Sequence, residues 1–251
     1  MQMRHFNTPS PKMEIIGLLA AQNGFSRYLE LCTSTTGGYY AALDRGILST
    51  AHRLMYNCPA GFDDGFAVEF RSESLDIDQC LAEINSKGLR YDIILIDPFH
   101  EYGASYRDLR AAFDLIDDGG MLVVHDCLPP DAAFATPGFV PGGWCGVTYK
   151  AYIDFVCARR DLDYRTVDID YGCGIIRKLD GRLRWAKSLR VIGASFLDIS
   201  SRRRAERRQR RLLWRQWHNI GNDFERTFCF FEKHKKELLN LISPEEFLAA
   251  L

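Results

Sequence analysis

The sequence predicts an α/β fold built on a mostly parallel sheet, and three observations support this prediction. Apolar runs over 94–96 and 121–124 are too short for helices and are typical of strands buried on both faces of a parallel sheet. Between these runs, apolar residues recur at helical spacing, as in a crossover helix. The 251 residues, 47% apolar and 26% charged, suffice for one α/β core and an appendage.

In the first 90 residues, hydrophobic periodicity and turn-forming residues predict three helices and three strands. The predicted elements are a helix over 13–22, a strand over 27–32, a loop of small residues over 33–38, a helix from about Tyr39, strands over 50–56 and 66–70, and a helix over 76–88. Helices precede, separate and follow these strands except between 50–56 and 66–70, which is the pattern expected of a mostly parallel sheet.

The stretch 91–130 reads as strand, acidic loop, helix, glycine turn and strand. We expect Gly119 and Gly120 to let the chain leave the helix through a left-handed turn. The loop over 129–146 is rich in Pro, Gly and Trp and is long enough to cover an active site. A helix over 147–159 and an antiparallel hairpin around Tyr171 and Gly172 are predicted to follow.

Composition indicates a cytoplasmic protein. No apolar run has the length of a membrane span, and the N-terminal residues lack the features of a secretory signal. The eight cysteines are dispersed, without a CxxC pair or the compact spacing of a disulfide framework, so we expect reduced thiols.

Charge divides the chain into two parts. Residues 1–181 carry 16 basic and 25 acidic side chains, whereas 182–251 carry 16 basic and 8 acidic ones. We therefore predict an N-terminal arm and helix over 1–24, an α/β domain over 25–181 and a basic helical extension over 182–251.

Acidic and histidine residues follow two of the predicted strands. Asp97 and His100 come after the strand near 94–96, and His125 and Asp126 come after the next one. Ligands of open α/β sheets bind at this edge, so these groups are candidates for divalent-metal binding or general-base catalysis. A structural role, in which Asp97 caps backbone and His100 packs, is the alternative. His125, as a strand neighbour of Asp126, is expected to point to the opposite face.

The order of elements resembles the fold of class I S-adenosylmethionine-dependent methyltransferases, a Rossmann-like sheet whose last strand is antiparallel. More narrowly, the segments IDPFHEY, DGGMLVVHDCLPP, GGWCGVTYKA and DIDYGCGIIRK resemble methyltransferase family 24, over about residues 25–180. This resemblance implies an O-methyltransferase that uses S-adenosylmethionine. The acids at the two strand ends add Mg²⁺ or another divalent metal ion as a candidate second cofactor. A small molecule or sugar unit is the acceptor that the resemblance implies.

The strand-end positions and the resemblance together predict roles for individual residues. Catalysis is expected from His100, Asp97 and Asp126, metal binding from Asp97 and Asp126, and substrate contact from His125, Trp144, Tyr149 and Lys150. Cofactor contact is expected from Glu30, Cys32, Thr33, Thr36, Gly37, Asn57 and Asp97. The chain departs from the family pattern at Cys32 and Thr36, which replace glycines, and at Asn57, which replaces the acid that binds ribose hydroxyls.

The basic extension holds eight arginines and one glutamate between residues 202 and 215, interleaved with apolar and aromatic residues. These arginines can pair with the acidic domain of the same chain or of a second copy, which would form a homo-oligomer. Nucleic acid and an anionic membrane are alternative partners. Ser243 and Glu246 form a capping-box pattern that predicts a last short helix.

Two other functions are compatible with the sequence. The altered glycine loop and the missing ribose acid favour a methyltransferase-like domain that has lost its cofactor and acts as a binding scaffold through its arginine-rich tail. The retained Asp97, His100 and Asp126 argue against that alternative. A third possibility is that the same fold binds a different nucleotide-like ligand.

Overall fold

The computed structural model describes residue 6 and residues 10–33, 40–141, 143–179, 194–221 and 223–251, with side chains described outside 194–204. The strands are β1 (Arg27–Thr33), β2 (Thr50–Tyr56), β3 (Phe70–Arg71), β4 (Tyr91–Asp97), β5 (Ile116–Val124), β6 (Leu162–Val167), β7 (Cys173–Lys178) and β8 (Leu241–Ile242). The α-helices are α1 (Pro11–Asn23), α2 (Asp78–Ser86), α3 (Tyr102–Leu115), α4 (Thr148–Ala158), α5 (Ala194–Ile220), α6 (Phe224–Leu238) and α7 (Pro244–Ala249). Among the described helices, none is both long enough and apolar enough to cross a membrane.

The strands form one sheet in the order β3-β2-β1-β4-β5-β7-β6-β8. Neighbouring strands from β3 to β5 are parallel, and β7 is antiparallel to both β5 and β6. This topology confirms the predicted Rossmann-like sheet with its antiparallel strand. The chain reverses its direction of strand addition between β1 and β4, which is the switch point where such sheets bind ligands.

Helices cover both faces of the sheet. Residues of α2 to α6 pack on one face, where Trp217 and Phe231 are buried, and residues of α1 and α7 pack on the other, where Ile15 and Phe247 are buried. The runs 93–96 of β4 and 121–124 of β5 are apolar on both sides because both faces of the sheet are covered.

Two predicted elements near the first crossover are wrong. In place of a helix from Tyr39, the described residues form two 3-10 turns, Tyr40–Ala42 and Arg45–Ile47, the second capped by the Asp44 side chain. The third strand is shorter than the predicted 66–70, because the Glu69 carboxylate accepts the hydrogen bond of the Arg53 backbone N–H at 2.7 Å and takes the place of strand pairing.

The predicted glycine exit from α3 is also wrong. The helix ends at Leu115, and β5 begins at the next residue, so both glycines lie within the strand. Gly119 has a φ of +86°, and a Cβ on Gly120 would lie 2.7 Å from the Asp92 carbonyl oxygen. The two glycines therefore form an irregularity where the pairing between β4 and β5 shifts in register.

The C-terminal part contributes to the sheet, which the sequence did not indicate. Strand β8 pairs in parallel with β6, and the Asn240 side chain donates to the Tyr164 carbonyl at 2.7 Å. The predicted last helix is confirmed as α7, with both hydrogen bonds of its Ser243–Glu246 capping box. The domain boundary at 181/182 lies outside the described residues and stays a prediction, as does most of the N-terminal arm.

A buried carboxyl group links β2 to α3. Asp108 accepts a hydrogen bond from the Tyr56 hydroxyl at 2.6 Å and ion-pairs with Arg107, yet it is fully buried. Burial outweighs both partners and raises the pKa of Asp108 to about 6, from an ordinary value of 3.8. The folded chain thus binds a proton at Asp108 more tightly than the unfolded chain does. The resulting contribution to the free energy of unfolding is lost as pH rises through about 6.

We expect the Asp108→Asn variant to gain stability relative to the parent as pH rises from 4 to 7. The gain should approach about 3 kcal/mol, which corresponds to the shift in the pKa. Urea unfolding of both proteins at several pH values measures it. A difference between them that does not change with pH would contradict the assigned protonation.

Candidate active site

Two carboxylates and a histidine meet at the carboxyl edge of the sheet, as predicted. Asp97 ends β4, Asp126 follows β5 by two residues, and both are buried. His100 lies in the loop between β4 and α3, with Nε2 3.0 Å from Asp126 Oδ2 and 3.6 Å from Asp97 Oδ1. The histidine ring is therefore held by carboxylates from two adjacent strand ends.

Lys12 is a member of this cluster that sequence reasoning missed. It lies in the first turn of α1, is 1% exposed, and places its Nζ 2.6 Å from Asp97 Oδ2. Burial alone would raise the pKa of Asp97, but Lys12 and the histidines hold that pKa well below its usual range. No pattern distinguishes Lys12 in the sequence from a lysine on a helix surface.

His125 lies in the same cluster, contrary to the expectation that it points to the opposite face. Its Nδ1 lies 2.8 Å from Asp126 Oδ2 in a hydrogen bond, and its Nε2 lies 3.4 Å from Asp170 Oδ1. Alternation fails here because β5 ends at Val124 and Asp126 has a φ of +59°, in the left-handed region. This bend lets consecutive side chains converge.

The cluster balances negative and positive charge. Its acids are Asp97, Asp126 and Asp170, and its basic groups are Lys12, His100 and His125. Burial would lower the pKa of His100, but Asp126 and Asp97 together raise it to about 9. The pKa of His125 is raised for the same reason, and that of Asp126 is lowered by the histidines despite burial. Both histidines are therefore in the positively charged imidazolium form at neutral pH in this arrangement.

Aromatic side chains form a wall beside the cluster. The ring of Trp144 lies 5.3 Å from that of His100 and 5.3 Å from that of Phe139, measured between centroids. Tyr171 stacks on Phe134 and meets the edge of His125. Phe139 is 66% exposed and Tyr171 44% exposed, so the wall ends in an open apolar rim.

The loop over 129–146 is fixed against the histidine. The Val147 backbone N–H donates to the His100 carbonyl at 2.9 Å, and a Cβ on Gly146 would lie 2.2 Å from that same oxygen. Gly146 also has a φ of +54°. Only glycine permits this approach, which places the aromatic wall next to His100.

The predicted cofactor residues occupy different positions. Glu30 and Cys32 lie within β1 and are buried, where Glu30 accepts from the Tyr28 hydroxyl at 3.2 Å and from the Cys32 thiol at 3.3 Å. Burial raises the pKa of Glu30. Thr33 ends β1 and Asn57 follows β2, at the ligand-binding edge; Asn57 is exposed. Thr36 and Gly37 lie outside the described residues.

Two predicted substrate residues do not reach the cluster. Tyr149 is 1% exposed and packs with Trp217, Phe228 and Phe231 in the core between α4 and the C-terminal helices. The Nζ of Lys150 lies 5.8 Å from the ring centroid of Tyr102, on α3. Of the predicted substrate residues, Trp144 and His125 are the two that lie at the cluster.

The carboxylates could hold a divalent metal ion. Donor atoms of Asp97, His100 and Asp126 all lie within 4.8 Å of one another, and oxygen with imidazole nitrogen suits such an ion. Because the cluster already balances its charges, binding would require the histidines to release protons.

The structure is similar to those of several known proteins. It resembles the O-methyltransferase TomG from Streptomyces achromogenes, involved in tomaymycin synthesis, in complex with S-adenosylmethionine, with a TM-score of 0.50 and 15% identity, covering 69% of this chain and 82% of TomG. It also resembles an O-methyltransferase from Bacillus cereus in complex with S-adenosylhomocysteine. The TM-score is 0.50 and the identity 16%, and the match covers 71% of this chain and 84% of that enzyme. Cofactor-bound Rv0187 from MTB is similar to it as well, with a TM-score of 0.50 and 15% identity, over 72% of this chain and 85% of Rv0187.

These likenesses show the class I methyltransferase fold. No protein-family model matches the sequence, and no curated protein is significantly similar to it. The narrower resemblance to family 24 therefore stays a prediction.

Proposed function

We propose that this chain, which has the class I methyltransferase fold, is an S-adenosylmethionine-dependent O-methyltransferase that acts on a hydroxyl of a small molecule or sugar unit. The observation that carries this proposal is the position of His100, held between Asp97 and Asp126 at the ligand-binding edge of the sheet. Methyl transfer to oxygen requires a group that removes the hydroxyl proton. The side chain of His100 is 18% exposed, with Nε2 buried on the side of the two carboxylates, so an acceptor would approach the ring from its other side.

In the proposed reaction, the neutral His100 ring accepts the acceptor's hydroxyl proton at Nδ1 as the oxygen attacks the methyl group, because Nε2 is buried and keeps its own proton toward Asp97 and Asp126. To become neutral, the ring must first lose one of the two protons of the imidazolium form that the carboxylates stabilise. Asp97 and Asp126 then orient the ring and stabilise the imidazolium that forms, which lowers the energy of the charge-separated transition state. S-adenosylmethionine, when bound, supplies the electrophilic methyl group.

The ends of β1, β2 and β4 would hold the cofactor. Asn57, exposed after β2, is placed to exchange hydrogen bonds with ribose hydroxyls, in place of the usual acid. We assign Glu30 and Cys32 a supporting role instead, since their polar atoms bond to each other within β1.

The aromatic rim supports an acceptor with an apolar or ring-shaped face. Trp144 contacts both His100 and Phe139, so a ring lying against Trp144 could present a hydroxyl to the His100 ring. Sugar rings and aromatic rings both stack on such side chains. Two exposed aromatic residues at the rim are consistent with a ligand that covers them.

A divalent ion such as Mg²⁺ is a further part of the proposal. Asp97 and Asp126 would hold it through one oxygen each, and it would lower the pKa of the acceptor hydroxyl. His100 cannot serve both as a ligand and as the base. If it is the base, the His100→Ala variant should keep metal affinity and lose turnover.

Calorimetric titration with S-adenosylmethionine and S-adenosylhomocysteine, with Mg²⁺ and then with a chelator, tests the proposal. We expect binding in the micromolar range, weakened about tenfold in Asn57→Ala and unchanged in the exposed control Asn85→Ala. Absence of binding with and without metal would refute the cofactor assignment. Parallel titration with ATP and NADH tests the different nucleotide-like ligand.

The intact acid–histidine cluster argues against the cofactor-degenerate scaffold, which would not need it. A cytoplasmic location and a homo-oligomer formed through the C-terminal helices stay predictions that accompany the proposal.

A further inference from the structure

A groove lies at the edge of the sheet opposite the candidate active site. It has a volume of about 700 Å³ and is bounded by the end of α4, the start of β6, Leu179 after β7, and one side of α5. Strand β6 runs in the same direction as β5, so its first residue lies at the amino edge. Strands of six residues place this groove on the order of 20 Å from the carboxyl edge that holds His100.

Arginines dominate the groove. Arg159 and Arg160 come from the end of α4, and α5 contributes the arginines at 207, 208, 210, 211 and 215, whereas Asp163 is the acid among the described lining residues. Arg207 Nη2 lies 3.4 Å from Asp163, and Arg159 pairs with Asp161. Within the described part of the chain, Arg160, Arg208, Arg211 and Arg215 form no ion pair.

The arginines are held next to the groove because α5, which carries most of them, is anchored to α4 and to the core. The Trp214 Nε1–H donates to Asp154 at 2.9 Å, and His218 Nε2 lies 3.1 Å from the same carboxylate on α4. Leu213 and Trp217 are buried in the core. Since this anchoring keeps α5 beside α4, its arginines stay close to one another, and their mutual repulsion costs free energy.

The shape and lining of the groove indicate the class of ligand. Its volume falls within the range of small-molecule sites, and guanidinium groups bind phosphate oxygens through paired N–H donors. Tyr164 is the one aromatic residue among the described lining, and Arg210 covers its ring at 5.5 Å. The groove therefore lacks the stacking surfaces typical of single-strand nucleic-acid sites. On α5, Leu213 and Trp217 are buried, which leaves Leu212, 50% exposed, as the large apolar side chain of the groove that a bilayer could take up.

We propose that this groove binds a compact anion that carries several phosphate groups. The phosphates neutralise the unpaired arginines, and the apolar floor of Val156, Leu162 and Leu179 contacts the remainder of the ligand. This site is independent of the proposed methyl transfer, because it lies at the other edge of the sheet and shares no residue with the cluster.

The test is calorimetry of the full chain with inorganic triphosphate and with ATP. Three proteins are compared: the parent, a groove variant with Arg208→Gln, Arg211→Gln and Arg215→Gln, and a control with Arg110→Gln, Arg226→Gln and Lys236→Gln. The control removes the same charge from exposed positions that do not line the groove. We expect the groove variant to bind about tenfold more weakly or worse, and the control to stay within about twofold of the parent.

Equal losses in both variants would overturn the proposal, because binding would then follow net charge alone. Absence of triphosphate and ATP binding to the parent would overturn it as well. In that case, a single-stranded oligodeoxythymidylate and vesicles containing phosphatidylserine reveal whether the groove serves a nucleic acid or a membrane instead. Thermal unfolding confirms that each variant is folded, and the S-adenosylmethionine titration, run on the same samples, separates this result from the test of methyltransferase function.

Discussion

Replacing Lys12 with methionine is expected to lower the free energy of unfolding by about 3 kcal/mol, because it leaves the buried Asp97 carboxylate without its closest cation. Methionine retains the length and apolar stem of lysine, so the change removes charge with little loss of volume. Urea unfolding at neutral pH measures the effect. The double variant Lys12→Met/Asp97→Asn should recover much of the loss, since it removes both buried charges.

Lys87→Met provides a matched control for this experiment. Lys87 and Glu83 form an ion pair of the same length, 2.6 Å, but their side chains are 54% and 47% exposed. Exposed pairs contribute under about 1 kcal/mol. If both lysine variants lost equally little stability, the Lys12 pair would not have the buried character that the structure gives it.

Replacing His100 with alanine is expected to lower turnover by about 10²- to 10⁴-fold, the usual contribution of a general base. Affinity for S-adenosylhomocysteine should stay close to that of the parent, because the groups that would hold the cofactor belong to the ends of β1, β2 and β4 and do not include His100. Asp126→Asn should also reduce turnover, through loss of the charge that orients the ring. Asparagine suits this position because it tolerates the left-handed backbone of Asp126 better than alanine does.

The experiment requires an acceptor, which a screen of hydroxylated small molecules and glycosides would supply, with S-adenosylhomocysteine formation as the readout. His234→Ala is the control, since His234 lies on α6 and packs against Phe230. Full turnover in both His100→Ala and Asp126→Asn would refute the roles proposed for these residues.

Much of the sheet was predictable because parallel strands that are buried on both faces appear in the sequence as short, continuous apolar runs. The predicted second strand over 50–56 agrees with β2, and the run near 94–96 lies inside β4. The predicted length of strand β3 was too great. At Glu69 the side chain, and not the backbone, accepts the hydrogen bond of the Arg53 N–H, and periodicity cannot distinguish the two. Strand β8 has two residues, too few to produce any periodicity.

The candidate site was predictable where strand ends alone determine position. Asp97, His100 and Asp126 follow directly from the order of β4 and β5. Lys12 and Asp170 enter from distant parts of the chain, α1 and the β6–β7 hairpin, so only the packing of these elements brings them to the cluster. The position of His125 depends on one left-handed residue, and local sequence does not reveal a backbone angle of that kind at an aspartate.

The pairing of β8 with β6 also bears on how the chain is made. Thr166 is translated about 75 residues before its partner Leu241. At roughly 5–20 residues per second, a ribosome needs about 4 to 15 s to cover that distance. During this interval the backbone groups of β6 that β8 later occupies are open to other strands. The nascent protein therefore passes through a period of vulnerability to aggregation that ends when β8 becomes available.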